Sequence, residues 1–306
     1  ASNNTGIGYQ VLAVNTTGTN NVAVGANALD ANTTGSGNVA IGKDALTAST
    51  THSGIIAIGE NCLKTADANT NNVAIGKDAM ELTTTGSGVA IGAYALHNNT
   101  TGLRNIAIGY GTLDTNTTGD DNTAVGNLAM DGNTTGSRNT AVGEQALTSN
   151  TTATNNVAVG YHALDTSTTA TGNVAVGAFA MEDTTTGGYN TALGYAALTN
   201  HTTSGDNTAV GAESLYTLTT GNYNTALGKE ALYTNNADHN TAVGNDAMKL
   251  NTTGTQNVAV GSAALNVNTT GAYVTAIGYQ ALVANTTGDH NTGLGKMALF
   301  ANTTGT

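Results

Sequence analysis

The feature that most constrains this chain is a period. A glycine preceded by Ala or Gly and a branched aliphatic residue recurs from Gly8 to Gly295 in 18 copies, and 15 of the 17 intervals are 17 residues long. The steps Gly76 to Gly92 and Gly228 to Gly244 are 16, each shortened between the Thr pair and the following strand position. The consensus is Asn-Thr/Val-Ala-Val/Ile-Gly-x-x-Ala-Leu-x-x-Asn-Thr-Thr-Gly-x-x. A unit this short cannot bury its apolar side chains alone, so it must stack on copies of itself.

The residue three before each anchor glycine is Val, Ile or Thr in all 18 copies, and the residue just before it is Val, Ile or Leu in all 18. Between them stands Ala in 16 copies and glycine at Gly6 and Gly293. β-Branching marks a strand, and its period of two puts bulky and small residues on opposite faces. The bulky face is the expected core: Val39, Ile41, Val125 and Val142, joined by the Leu/Met column four after the anchor, Leu46, Met130 and Leu147. The opposite face, with Ala124, Ala141 and Ala158, is the expected surface of self-association, where small side chains admit a close neighbour.

These columns predict an all-β chain, a parallel β-solenoid of 18 coils forming one array over residues 1–306. At the usual strand spacing, 18 coils make a rod of roughly 86 Å. Gly, Asn and Thr are weak helix formers, which argues against a helical repeat. Asn stands four before the anchor in 15 copies, with Ile55, Gly88 and Val274 as exceptions, so Asn122, Asn139, Asn156 and Asn173 are expected to form an amide ladder from coil to coil. Proline is absent, as a backbone hydrogen-bonded on both sides requires. No polar cap is evident at either end of the array, which predicts continuation of the repeat or end-to-end stacking into a filament.

Composition removes several function classes. Eight basic residues against 20 acidic ones, a formal net charge of -12, disfavour binding to a nucleic acid backbone. No apolar run approaches the ~18 residues of a membrane span. The single cysteine, Cys62, cannot form an intramolecular disulfide and reads as a small buried residue in the Ala column before Leu63. His52, His97, His162, His201, His239 and His290 fall mostly in different columns and read as solvated loop residues; only His239 and His290 share one, too far apart for a common ion. The carboxylates, such as Asp120, Asp121, Glu182 and Asp183, flank the strands and read as a solubilising surface. No metal, cofactor or catalytic residue is expected.

Three repeated features could meet a partner. Tyr9, Tyr110, Tyr161, Tyr195 and Tyr279 follow their anchors, and Tyr189, Tyr223 and Tyr273 precede theirs by five; at coil corners they read first as packing within the fibre and second as platforms for sugars or protein. The Thr pair eight and nine after the anchor, Thr134 and Thr151 among it, gives two files along the array and an ice-binding alternative. Adjacent strand residues face opposite ways, however, so Thr-Thr presents a single outward file. Asn15, Asn32, Asn99, Asn116, Asn133, Asn150, Asn251, Asn268, Asn285 and Asn302 each head Asn-Thr-Thr, formally a glycosylation acceptor pattern.

With its Asn-Thr-Ala-Val-Gly and Asn-Thr-Thr-Gly segments the chain resembles the repeats of bacteriophage tail fibres and related bacterial surface proteins. It is also similar to the head repeats of trimeric autotransporter adhesins, whose Asn-Ser-Val-Ala-Ile-Gly core matches Asn38 to Gly42 and Asn72 to Gly76. The resemblance covers the whole array and implies an extracellular, cell-surface or virion-borne fibre, a homotrimer of parallel β-rolls that attaches to a glycan or protein receptor. The functional expectation is therefore a non-catalytic structural shaft. Its alternatives are the ice-binding solenoid and an end-to-end polymerising, glycosylated filament.

Overall fold

The computed structural model describes residues 2–66 and 71–306; Ala1, where the array is expected to open, lies outside them. The chain is an all-β parallel solenoid with one short strand per coil, and no helix occurs among the described residues. It divides into two compact units, Ala1–Thr154 and Asn155–Thr306. The first holds β1 (Thr5–Ile7) through β9 (Thr140–Val142), and the second β10 (Val157–Val159) through β18 (Thr292–Leu294).

Within each unit every strand pairs in parallel with the next and keeps identical columns in register, as Val39 pairs with Ile56, Ala40 with Ala57 and Ile41 with Ile58. The two 16-residue steps leave register intact: Val73 of β5 (Val73–Ile75) pairs with Val89 of β6 (Gly88–Ile91), and Thr225 of β14 (Thr225–Leu227) with Thr241 of β15 (Thr241–Val243). A missing residue is absorbed in the turn because a shift inside the strand would invert every side chain.

The interior is the reverse of the expected one. Ala40, Ala124, Ala141 and Ala158 are wholly buried, so they cannot form an association face. Val39 and Val125 are only half-buried, while Ile41 and Val142 are 37% exposed. Leu46, Met130 and Leu147 do lie in the core, at 0% exposure. The roll is too narrow to take bulk on the strand's inner face. At Gly293, where that face carries no side chain, a Cβ would already stand 3.1 Å from Leu282 Cγ. Alanine fills such a gap and valine would overpack it.

The Leu/Met column turns the chain as well as filling the core. Its members have positive φ, for example 54° at Leu46, 53° at Met130 and 56° at Leu147. A β-branched side chain is a strained outlier in that region, which explains why no Val or Ile occupies this position in any copy. Leu147→Ile is accordingly expected to cost about 2 kcal/mol or more at nearly constant volume, whereas Leu147→Met costs about 1 kcal/mol or less. Urea denaturation of both variants measures the difference; equal losses would remove the backbone explanation.

Candidate functional site

Two asparagine columns line the inside of the roll. In the column before the strand, the Asn122 backbone N–H donates to Asn105 Oδ1 at 2.9 Å and that of Asn139 to Asn122 Oδ1 at 3.0 Å. The Nδ2 groups of Asn122 and Asn139 donate to the Gly136 and Ala153 carbonyls at 2.8 and 2.9 Å. Asn156 and Asn173 repeat this in the second unit, with Asn173 N–H on Asn156 Oδ1 at 2.9 Å and the two amides on the Ala170 and Gly187 carbonyls. The expected ladder therefore runs chiefly from side chain to backbone, supplemented by amide contacts such as Asn139 Nδ2 to Asn122 Oδ1 at 3.2 Å.

The Asn-Thr-Thr column is a second, direct amide ladder. Asn116 donates to Asn99 Oδ1 at 2.8 Å, Asn133 to Asn116 at 2.7 Å and Asn150 to Asn133 at 2.6 Å. Asn251, Asn268, Asn285 and Asn302 continue the pattern in the second unit, and Asn32 donates to Asn15 at 3.0 Å in the first. The same Nδ2 atoms close the local turn, as Asn133 does on the Gly136 carbonyl at 3.0 Å. Eight of the ten acceptor-pattern asparagines are fully buried, and Asn15 and Asn302 are half-buried. This corrects the glycosylation reading at those eight positions: the nitrogen that would carry a glycan is a buried donor to its neighbours.

The Thr pair divides its labour. The first hydroxyl donates to the equivalent carbonyl of the next coil, as Thr117 does to Thr134 at 3.0 Å and Thr134 to Thr151 at 2.9 Å. The second Thr, at Thr118 and Thr135, is exposed, so one outward file results.

His201 corrects the reading of the histidines as uniformly solvated. It occupies the inner Asn column at 0% exposure, with Nδ1 3.0 Å from Thr184 Oγ1 and Nε2 on the Ser204 carbonyl. Burial lowers its pKa below the usual 6.5, which favours the neutral ring. His239 and His290 stack on Tyr223 and Tyr273 at 5.0 and 4.9 Å, and His97 lies between Glu81 and Asp114 at 3.1 and 3.2 Å. Cys62 Sγ contacts the Ala74 carbonyl at 3.2 Å, and burial pushes its thiol up to about 12, so at neutral pH it is no nucleophile.

The outer strand face is the feature that sequence reasoning misplaced. In six consecutive coils, from Val22 and Val24 to Ile106 and Ile108, both outward positions are aliphatic, and Ile56, Ile91, Ile106 and Ile108 are 36 to 38% exposed. Beside it, where the repeat is one residue short at Gly88, a groove of about 470 Å³ opens along Ser87, Val89, Arg104 and Ile106. The Arg104 guanidinium at its edge is held by both carboxylate oxygens of Asp121, at 2.5 and 2.9 Å. No protein-family model matches this chain, and no curated protein sequence matches it.

Proposed function

We propose that the chain is a non-catalytic structural segment of an extracellular fibre that self-associates through its outer strand face. The observation that carries this reading is the continuous double file of half-exposed aliphatic residues from Val22 to Ile108 on a parallel, in-register surface. Contiguous apolar surface of this kind marks an interaction site on a soluble protein. A second copy offers files of the same spacing, so side chains interdigitate along many coils. The interior supports a mechanical role. Coil after coil adds buried amide bonds, at about 1 kcal/mol net per bond, to a narrow core. The resemblance to adhesin heads makes three chains the first choice of assembly, with a glycan or protein receptor as the partner at the surface.

Ile91→Lys combined with Ile108→Lys is the direct test, because both side chains point outward and neither fills the core. The parent is expected to sediment as an oligomer and the variant as a 30.4 kDa monomer with an unchanged circular dichroism spectrum. Added lysines reduce the net charge of -12, so dissociation would not reflect general repulsion. A parent that stays monomeric at every concentration, or a variant that assembles equally well, would remove the strand face from the proposal.

A further inference from the structure

In the second unit, the turn after the anchor glycine carries a run of aromatic rings. Tyr161 and Phe179 meet edge to face at 5.4 Å, and Phe179 and Tyr195 do so at 5.9 Å with planes 86° apart. Farther along the stack, Tyr216 lies flat on Tyr233 at 5.1 Å. The coil between Phe179 and Tyr216 places only Ala196 and Thr199 at the corresponding positions, 5% and 6% exposed. This bulky-small-bulky succession leaves a notch of about 220 Å³ lined by Phe179, Glu182, Tyr195, Ala196, Thr199 and Tyr216. Thr199 Oγ1 donates to the Phe179 carbonyl at 3.0 Å and fixes the floor.

The electrostatics of the notch have one sign. Its only charged side chain is Glu182, and no lysine or arginine lines it. Burial raises the Glu182 carboxyl above its usual range and the neighbouring Asp183 raises it further; His162 lowers it, and Asp165 raises it again. Three of its six lining residues are aromatic, and the face of an aromatic ring carries the negative side of its quadrupole. The same fold already places cations this way, with the Lys249 ammonium 5.9 Å from the Tyr233 centroid and that of Lys296 6.0 Å from Tyr279.

We propose that this notch binds a quaternary ammonium group, the trimethylammonium of a choline-type ligand. Such a cation has an apolar skin that suits Phe179, Tyr195 and Tyr216, and a diffuse charge that offsets Glu182 without demanding the hydrogen bonds a primary ammonium would lose on leaving water. A pyranose stacked on Tyr195 would leave the carboxylate uncompensated and is the competing outcome.

The test is a calorimetric titration of the full chain with choline chloride, with phosphocholine, and with 3,3-dimethyl-1-butanol, the neutral compound of the same shape. Choline is expected to saturate with a Kd on the order of 1 mM and to bind about tenfold more tightly than the alcohol. Phosphocholine binding as well as choline assigns a site that reads the ammonium alone, and weaker binding of phosphocholine assigns free choline as the better ligand, since the notch is acidic. Ala196→Phe, which fills the notch, should abolish the signal while the far-ultraviolet spectrum is retained. Phe179→Ala should weaken choline about tenfold; the backbone accepts alanine there, since Ala196 holds the equivalent position at φ 51° against 60° for Phe179. If either variant fails to fold, Glu182→Gln, a half-buried position, replaces it and should weaken choline while leaving the alcohol unchanged. Equal affinity for choline and the alcohol, saturation by methyl glucoside in place of choline, no saturation by choline up to about 50 mM, or undiminished binding by a folded Ala196→Phe would each overturn the proposal.

Discussion

Gly126→Ala is expected to destabilise the first unit by about 3 kcal/mol or more. Two costs add at this position. Its φ of +141° belongs to a region that L residues rarely adopt, and an added Cβ would stand 2.3 Å from the Gly143 carbonyl oxygen and 2.5 Å from its carbon. That neighbour cannot retreat, because the Gly143 N–H is bonded to the Val125 carbonyl at 2.8 Å and holds the next coil in place. Gly37→Ala separates the two contributions. It also has positive φ, at +68°, but an added Cβ there meets nothing within 4 Å, so about 1 kcal/mol is expected from conformation alone. Thermal and urea unfolding followed by circular dichroism compare the two, and equal losses would show that the close approach of successive anchors is unimportant.

Asn133→Asp is a second such substitution. Asn133 Nδ2 donates to Asn116 Oδ1 and to the Gly136 carbonyl, and its Oδ1 accepts from Asn150, all inside the roll. A carboxylate would set negative oxygens against two acceptors in a dry site, at an expected cost of about 3 to 5 kcal/mol near pH 7. Both burial and the facing acceptors raise the folded pKa of the introduced Asp above its unfolded value of about 3.9. The folded state then binds more protons than the unfolded state, so stability falls as pH rises. The defect should be smallest below about pH 4, where the group is protonated in both states, and should grow as pH climbs from there through the folded pKa. Asn133→Leu should show no such slope, since it introduces no titratable group and the same column already carries a buried leucine at Leu218. A pH-independent loss in Asn133→Asp would mean that the column is open to water.

How much of this was legible in the sequence differs by column. The period, the strand positions and the buried Leu/Met column could be read directly, because identity at a fixed step reports what every coil needs and stacking in register turns each position into a file. Leu46, Met130 and Leu147 lie where that argument puts them. The need for positive φ at this column left its own trace, the absence of Val and Ile from 18 copies, although hydrophobicity alone does not reveal it. The Asn-Thr-Thr motif was legible as a conspicuous repeat but points outward as an acceptor pattern, when its regular period was the sign of an internal ladder.

The notch between Phe179 and Tyr216 lies beyond sequence reading for another reason. Its members come from three coils, and only stacking puts Ala196 and Thr199 between the larger side chains. The sidedness of the strand was likewise decided by tertiary structure. Alternation in Val39, Ala40 and Ile41 guarantees two faces but does not say which is inside, and transfer free energy favours burying the larger pair. What reverses the choice is a distance: the opposite wall, carrying Leu282 and its equivalents, stands so close that a single Cβ fills the space. Close packing therefore admits alanine and turns valine and isoleucine outward, because overlap inside a narrow roll costs more than their partial exposure.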